Sequence, residues 1–113
     1  MPENTPNTTE IVRDLNDAFR TTFVGGKVLL TQGVQSLGQA AIGEIVRLVQ
    51  NHSDFCEEND PHGEHDFGSF DYSNDKFFWK IDYYDSQCEM GSPDASDPSQ
   101  TTRVLTIMLA SEY

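Results

Sequence analysis

FGSFDYSNDKFFWKIDYY, residues 67–84, sets two aromatic-rich runs on either side of Ser73, Asn74 and Asp75. Runs of this composition separated by a short polar break form a β-hairpin. Successive side chains of a strand point to opposite sides. In the second run Phe77, Trp79, Ile81 and Tyr83 therefore share one face, and Phe78, Lys80, Asp82 and Tyr84 the other. The first face belongs in a core. The second mixes charge with aromatic surface and is open to a helix edge or a ligand.

Downstream, RVLTIMLA (103–110) sets Leu105, Ile107 and Leu109 against Val104, Thr106 and Met108. A strand apolar on both faces belongs in the middle of a sheet. Upstream, KVLLTQ (27–32) is a short apolar strand. Before it, Ile11, Leu15, Phe19 and Phe23 recur at the spacing of one helix face, with Thr8 or Thr9 as N-cap and Glu10 in the first turn. Gly25 and Gly26 end this helix. Leu37, Ala41, Ile45 and Leu48 return to the helical period as far as about His52. Gly38 and Gly43 each cost that helix roughly 1 kcal/mol relative to Ala, so it relies on packing, with a glycine marking a close approach to the sheet. The order α-β-α-β-β-β predicts an α+β fold: two helices packed on one face of a small antiparallel sheet. Residues 9–113 form a single domain behind a flexible leader, 1–8.

The chain has 113 residues, with seven Phe, four Tyr and one Trp to build a core. Its N-terminus MPENTPNTTE lacks the basic start and apolar run of a signal peptide. No stretch nears the roughly 18 apolar residues of a membrane helix. Cys56 and Cys88 make no disulfide framework, and a cytoplasmic location with reduced thiols follows as the expectation. The net charge is −12. Residues 52–101 carry thirteen acids against Lys76 and Lys80 alone, a balance of −11. Such a field repels nucleic acid and anionic membrane and attracts cations or basic protein surfaces. Its simplest use is as a solubilising surface charge.

Several chemistries compete for the acidic segment. Cys56, His62, His65 and Cys88 offer zinc-type ligands at C-x5-H-x2-H-x22-C, a spacing without the tight ligand pair of structural sites. Asp54, Glu57, Glu58, Asp60, Glu64 and Asp66 offer oxygens to a hard cation, but no EF-hand pattern is present. His65 with Asp66 or Asp82 is the candidate acid/base pair, set against a local role in fixing the loop to the strand. No phosphate loop, nucleophile elbow or H-E-x-x-H helix occurs. The remaining reading is protein binding: carboxylates on a rigid sheet edge present to a basic groove the charge pattern of a nucleic-acid backbone. Its partner-binding candidates are Asp60, Glu64, Asp66, Asp71, Asp82, Tyr84, Asp85, Asp94 and Asp97, with exposed tyrosines as anchors. No cofactor is called for.

LNDAFR, GGKVLLTQGV, NDPHGEHDFG, FFWKIDYYD, GSPDASDP and TTRVLTIMLASEY, in this order, resemble a bacterial family catalogued as domain of unknown function 3768, over about residues 11–113. His65, Asp66, Lys80, Asp82 and Asp85 fall on its motifs. His62 stands where the family pattern is typically Tyr, and Cys56 and Cys88 match no motif position. Its members look like small cytoplasmic alphaproteobacterial proteins, often carried on mobile elements. Joined to the charge, the resemblance implies a nucleic-acid-mimicking inhibitor of a defence or regulatory nucleic-acid-binding protein, of the anti-CRISPR or anti-restriction type. The partner is then a basic protein surface, with no direct nucleic acid and no membrane. The alternative is a small enzyme or metal-binding protein centred on the HGEHD loop.

Overall fold

The computed structural model describes residues 7–56 and 58–113. The first six residues of the expected leader, and Glu57 among the expected cation ligands, lie outside the described residues.

Helix α1 spans Thr8–Thr22. Its N-cap is Asn7, one residue before the expected threonines: the Asn7 side chain accepts from the Glu10 amide at 2.8 Å, and Glu10 accepts from the Asn7 amide at 3.0 Å. This reciprocal box satisfies two amides that the first helical turn leaves unpaired. The helix closes on Phe23 in the left-handed region, φ 59°, and not on the glycines that follow. Its fully buried stripe is Val12, Asn16, Phe19 and Arg20, turned from the expected Ile11, Leu15, Phe19 and Phe23, which apart from Phe19 are only partly buried, and it includes two polar residues.

Strand β1 covers Gly26–Leu30. The expected single helix after it is broken in two, α2 (Gln32–Gln35) and α3 (Gln39–Gln50). Gly38 between them has φ 94°, a conformation that costs glycine little and other residues much. Gly43 faces open space, so the close approach to the sheet expected of a glycine in this helix is not made there. Strands β2 (Phe67–Tyr72) and β3 (Asp75–Tyr84) form the hairpin. Its turn is two residues long, Ser73 and Asn74, both at positive φ, the backbone twist that matches paired strands. Strand β4 runs Thr102–Leu109.

The sheet order is β1-β4-β3-β2. β4 is central, as its two apolar faces require, and is antiparallel to β3. The correction is β1, which joins β4 in parallel, making the sheet mixed. Direction of pairing between chain-distant strands leaves no mark in a short apolar run. Phe77, Trp79, Ile81, Leu105 and Ile107 meet Phe19, Val34, Ile45 and Val49 in one core under the helices. Burying each large apolar side chain there contributes roughly 1.5–3 kcal/mol. Three helices, α1, α2 and α3, thus cover one face of the sheet where two were expected, because the second is broken at Gly38. Among the described residues no α-helix lies on its other face.

Candidate functional site

On the helix face, the stripe of α1 meets the loop 52–66 in a polar cluster. Asn16 is fully buried and donates from Nδ2 to the Glu64 carbonyl at 2.9 Å and to Tyr83 Oη at 2.8 Å. Its Oδ1 accepts from Arg103 Nε at 2.7 Å, and Arg103 Nη2 donates to the Ala95 carbonyl at 2.6 Å. Tyr83 Oη has Asp66 Oδ2 at 3.2 Å and Glu64 Oε1 at 3.4 Å to receive its proton. Burial pushes the Tyr83 hydroxyl far up, so it stays protonated as a donor. Burial also raises Asp66, against the lowering effect of the Tyr83 hydrogen bond, and raises Glu64 with help from the Asp66 charge. Arg103 is pushed down by burial and pulled up by Tyr83 and Glu64; a guanidinium has room for that and stays charged.

Beside this lies His65, in the left-handed region at φ 55° and stacked on Phe55 with ring centroids 3.8 Å apart. Its Nδ1 is 2.9 Å from Asp17 Oδ1, its Nε2 is 3.6 Å from Asp60 Oδ2, and its amide donates to both Asp60 oxygens. Arg20 completes the junction, donating to Asp17 and to the carbonyls of Val49 and His52. The partners of His65 are therefore Asp17 and Asp60. Asp66 bonds Tyr83 instead, and Asp82 lies on the opposite face of the sheet, so neither expected acid/base pair forms. Both imidazole nitrogens are directed at carboxylates that position the loop. Trp79 Nε1 and His52 Nε2 are buried beside it without a hydrogen-bond partner among the described residues.

The expected zinc ligands do not converge. Cys56 and His62 are exposed on the loop, while Cys88 sits on the other side of the sheet, 3.6 Å from Lys27 Nζ. Among the described residues no group of three or more His, Cys, Asp or Glu is placed to hold a metal ion.

The carboxylates expected to meet a partner divide into three groups. Asp60 is buried at 8% exposure, and Asp66 and Glu64 are partly buried around Tyr83, all three turned inward. Asp85, Asp94 and Asp97 order the connection 85–101. Asp85 accepts from the Gln87 and Glu89 amides, Asp94 from Ser96, and Asp97 from Ser99 and Gln100. These bonds hold Asp85 and Asp97 below the usual carboxylate range, the Glu89 amide acting most strongly on Asp85 and the Gln100 side chain on Asp97. Asp71 and Asp82 stand on the uncovered sheet face, paired with Lys76 at 3.8 Å and with Lys80. Tyr84 shares that face at 37% exposure.

That face is a groove of about 780 Å³. Registers across β1, β4 and β3 lay its floor in rows, Lys27–Val104–Asp82 and Leu29–Thr106–Lys80. The Cys88 loop borders it, as does the 3-10 turn Ala110–Glu112. Glu112 ties that turn down, accepting from Thr31 Oγ1, the Gly33 amide and the Leu109 amide. Tyr113 packs edge-on against Phe67 and Phe78.

A family model described as "Protein of unknown function (DUF3768)" matches residues 30–112. The chain belongs to the DUF3768 family. The match begins at Leu30, later than the residue 11 expected from LNDAFR. It holds the groove's β3 and β4 rows together with His65, Asp66, Tyr83 and Arg103, but leaves Asn16, Asp17 and Arg20 outside. Comparison with curated proteins and with solved structures gives no match. For this DUF3768 chain, sequence reasoning missed Asn16, Asp17, Arg20, Tyr83 and Arg103 as one cluster. The available signal was Val12, Asn16, Phe19 and Arg20, a helical stripe with polar residues inside it.

Proposed function

We propose that this chain is a cytoplasmic protein-binding module whose acidic surface engages the basic surface of a nucleic-acid-binding protein. In this reading it inhibits that protein by presenting a nucleic-acid-like pattern of charge, in the manner of anti-restriction or anti-CRISPR proteins. The observation that carries the reading is the state of the charges in residues 52–101. Lys76 and Lys80 are both spent on Asp71 and Asp82. Asp85 and Asp97 are held in place by hydrogen bonds that also keep them ionised. Asp85 and Asp97, fixed, ionised and without an ion pair among the described residues, speed encounter with a cationic groove and disfavour anionic partners. Tyr84, beside Asp82 and Asp85, supplies the aromatic anchor. No helix among the described residues is long and apolar enough to cross a membrane.

The interface consists of Asp71, Asp82, Tyr84, Asp85, Asp94 and Asp97. Asp60, Asp66 and Glu64 act behind it by shaping the loop. The metal or enzymatic alternative gains no support from His65, which is engaged by Asp17 and Asp60. The test is capture of partners from host cytoplasm at low and high salt, using the native chain and the Asp71→Lys, Asp82→Lys double variant. A basic partner released by salt and lost by at least tenfold in the double variant is expected. Retention that ignores both salt and charge reversal would sink the reading.

A further inference from the structure

We infer that the groove on the uncovered sheet face binds a small amphipathic carboxylate, its apolar body along β1 and β4 and its acid group at Lys27. The apolar surface is carried by Leu29, 53% exposed, above Val104 and Met108, which are nearly buried at the bottom of the groove. Its volume, about 780 Å³, is within the usual range of small-molecule sites, roughly 300–1,000 Å³. Charge selects the ligand's sign. Among the described residues four charged side chains line the groove, and three are engaged: Lys80 with Asp82, and Glu112 with its three donors. Lys27 makes no ion pair among the described residues; its ammonium meets only the Cys88 sulfur, at 3.6 Å. A cation left beside an apolar floor suits a molecule with one anionic end. The −12 charge of the whole chain does not forbid this, because exposed charges more than about 10 Å away are largely screened at 0.1 M salt.

This site does not rest on the protein-binding reading: it uses Lys27 and Leu29, whereas that reading uses Asp82 and Tyr84 elsewhere in the lining of the same groove, and the two ligands carry opposite charge. Decanoate is the probe, with decanol as its uncharged counterpart, each titrated into the full chain and followed by amide chemical shifts. Decanoate is expected to move the signals of Lys27–Thr31 and Val104–Met108. Lys27→Glu should weaken it about tenfold, as should removal of the acid group in decanol. Leu29→Ser should weaken both probes. Lys27 and Leu29 are exposed, and the same spectra report that each variant is folded. Absence of shifts in the groove, equal affinity for decanol, or indifference to Lys27→Glu would overturn the inference.

Discussion

Arg103 Nε donates to Asn16 Oδ1 across 2.7 Å, joining the central strand to the helix above it through two buried side chains. Asn16 also donates to Tyr83 Oη and to the Glu64 carbonyl, so one amide satisfies three elements at once. Asn16→Ala leaves a buried guanidinium and a half-buried hydroxyl without these partners. The expected loss is about 2–4 kcal/mol in urea unfolding. Asn16→Asp keeps an acceptor for Arg103 but no donor for Glu64, and should also destabilise. A loss under about 0.5 kcal/mol for both would show that the cluster is not a structural pin.

Two glycines predict opposite signs. A Cβ on Gly68 would stand 2.3 Å from Trp79 Nε1, and Trp79 is fully buried in the core with no room to retreat. Gly68→Ala should cost about 2–3 kcal/mol. Gly43, exposed within α3 and facing open space, should gain roughly 0.5–1 kcal/mol on conversion to Ala. Thermal unfolding of the two variants compares them directly.

Acidity acts on the loop through Asp66. Burial, the largest influence, raises its folded pKa above the ordinary 3.8, so folding favours the protonated form. Its stabilising contribution is complete below that ordinary value and is lost as pH rises through the raised one. Asp66→Asn keeps an acceptor for Tyr83 and removes the charge. It should raise the urea midpoint at neutral pH and flatten its dependence on pH across the mildly acidic range. An unaltered pH profile would contradict this assignment.

His52 works in the other direction. Burial lowers its pKa, opposed by the Asp54 backbone, with the Arg20 charge adding to the lowering. Its stabilising contribution is present above the ordinary 6.5 and is lost as pH falls through the lowered value. The Asp66→Asn variant should therefore still lose stability as pH falls below 6.5, and a further change of His52 to Gln should remove the part of that loss that lies above the carboxylate range.

Glu112 predicts local loosening. Thr31, foremost, with the Leu109 and Gly33 amides, holds its carboxyl below the usual range. Its contribution is lost as pH falls through that lowered value. Glu112→Gln should speed hydrogen exchange of the Gly33 and Leu109 amides at neutral pH, leaving the β3–β4 amides protected.

The sequence by itself determined the α+β class, the β2–β3 hairpin and the central place of β4. These follow from local alternation, turn composition and two apolar faces, all carried by neighbouring residues. The acidity of residues 52–101 and the reading of HGEHD as a loop were legible for the same reason. Only the tertiary structure decided that β1 runs parallel to β4, because strand direction is set by the chain's path and not by the residues of the strand. It alone also joined Asn16, Tyr83 and Arg103. Their side chains meet across segments distant in the chain, and a polar residue inside a helical stripe does not reveal which partner awaits it. His65 changed meaning likewise: its position was visible in the sequence, but its engagement by Asp17 and Asp60 depends on where α1 crosses the sheet.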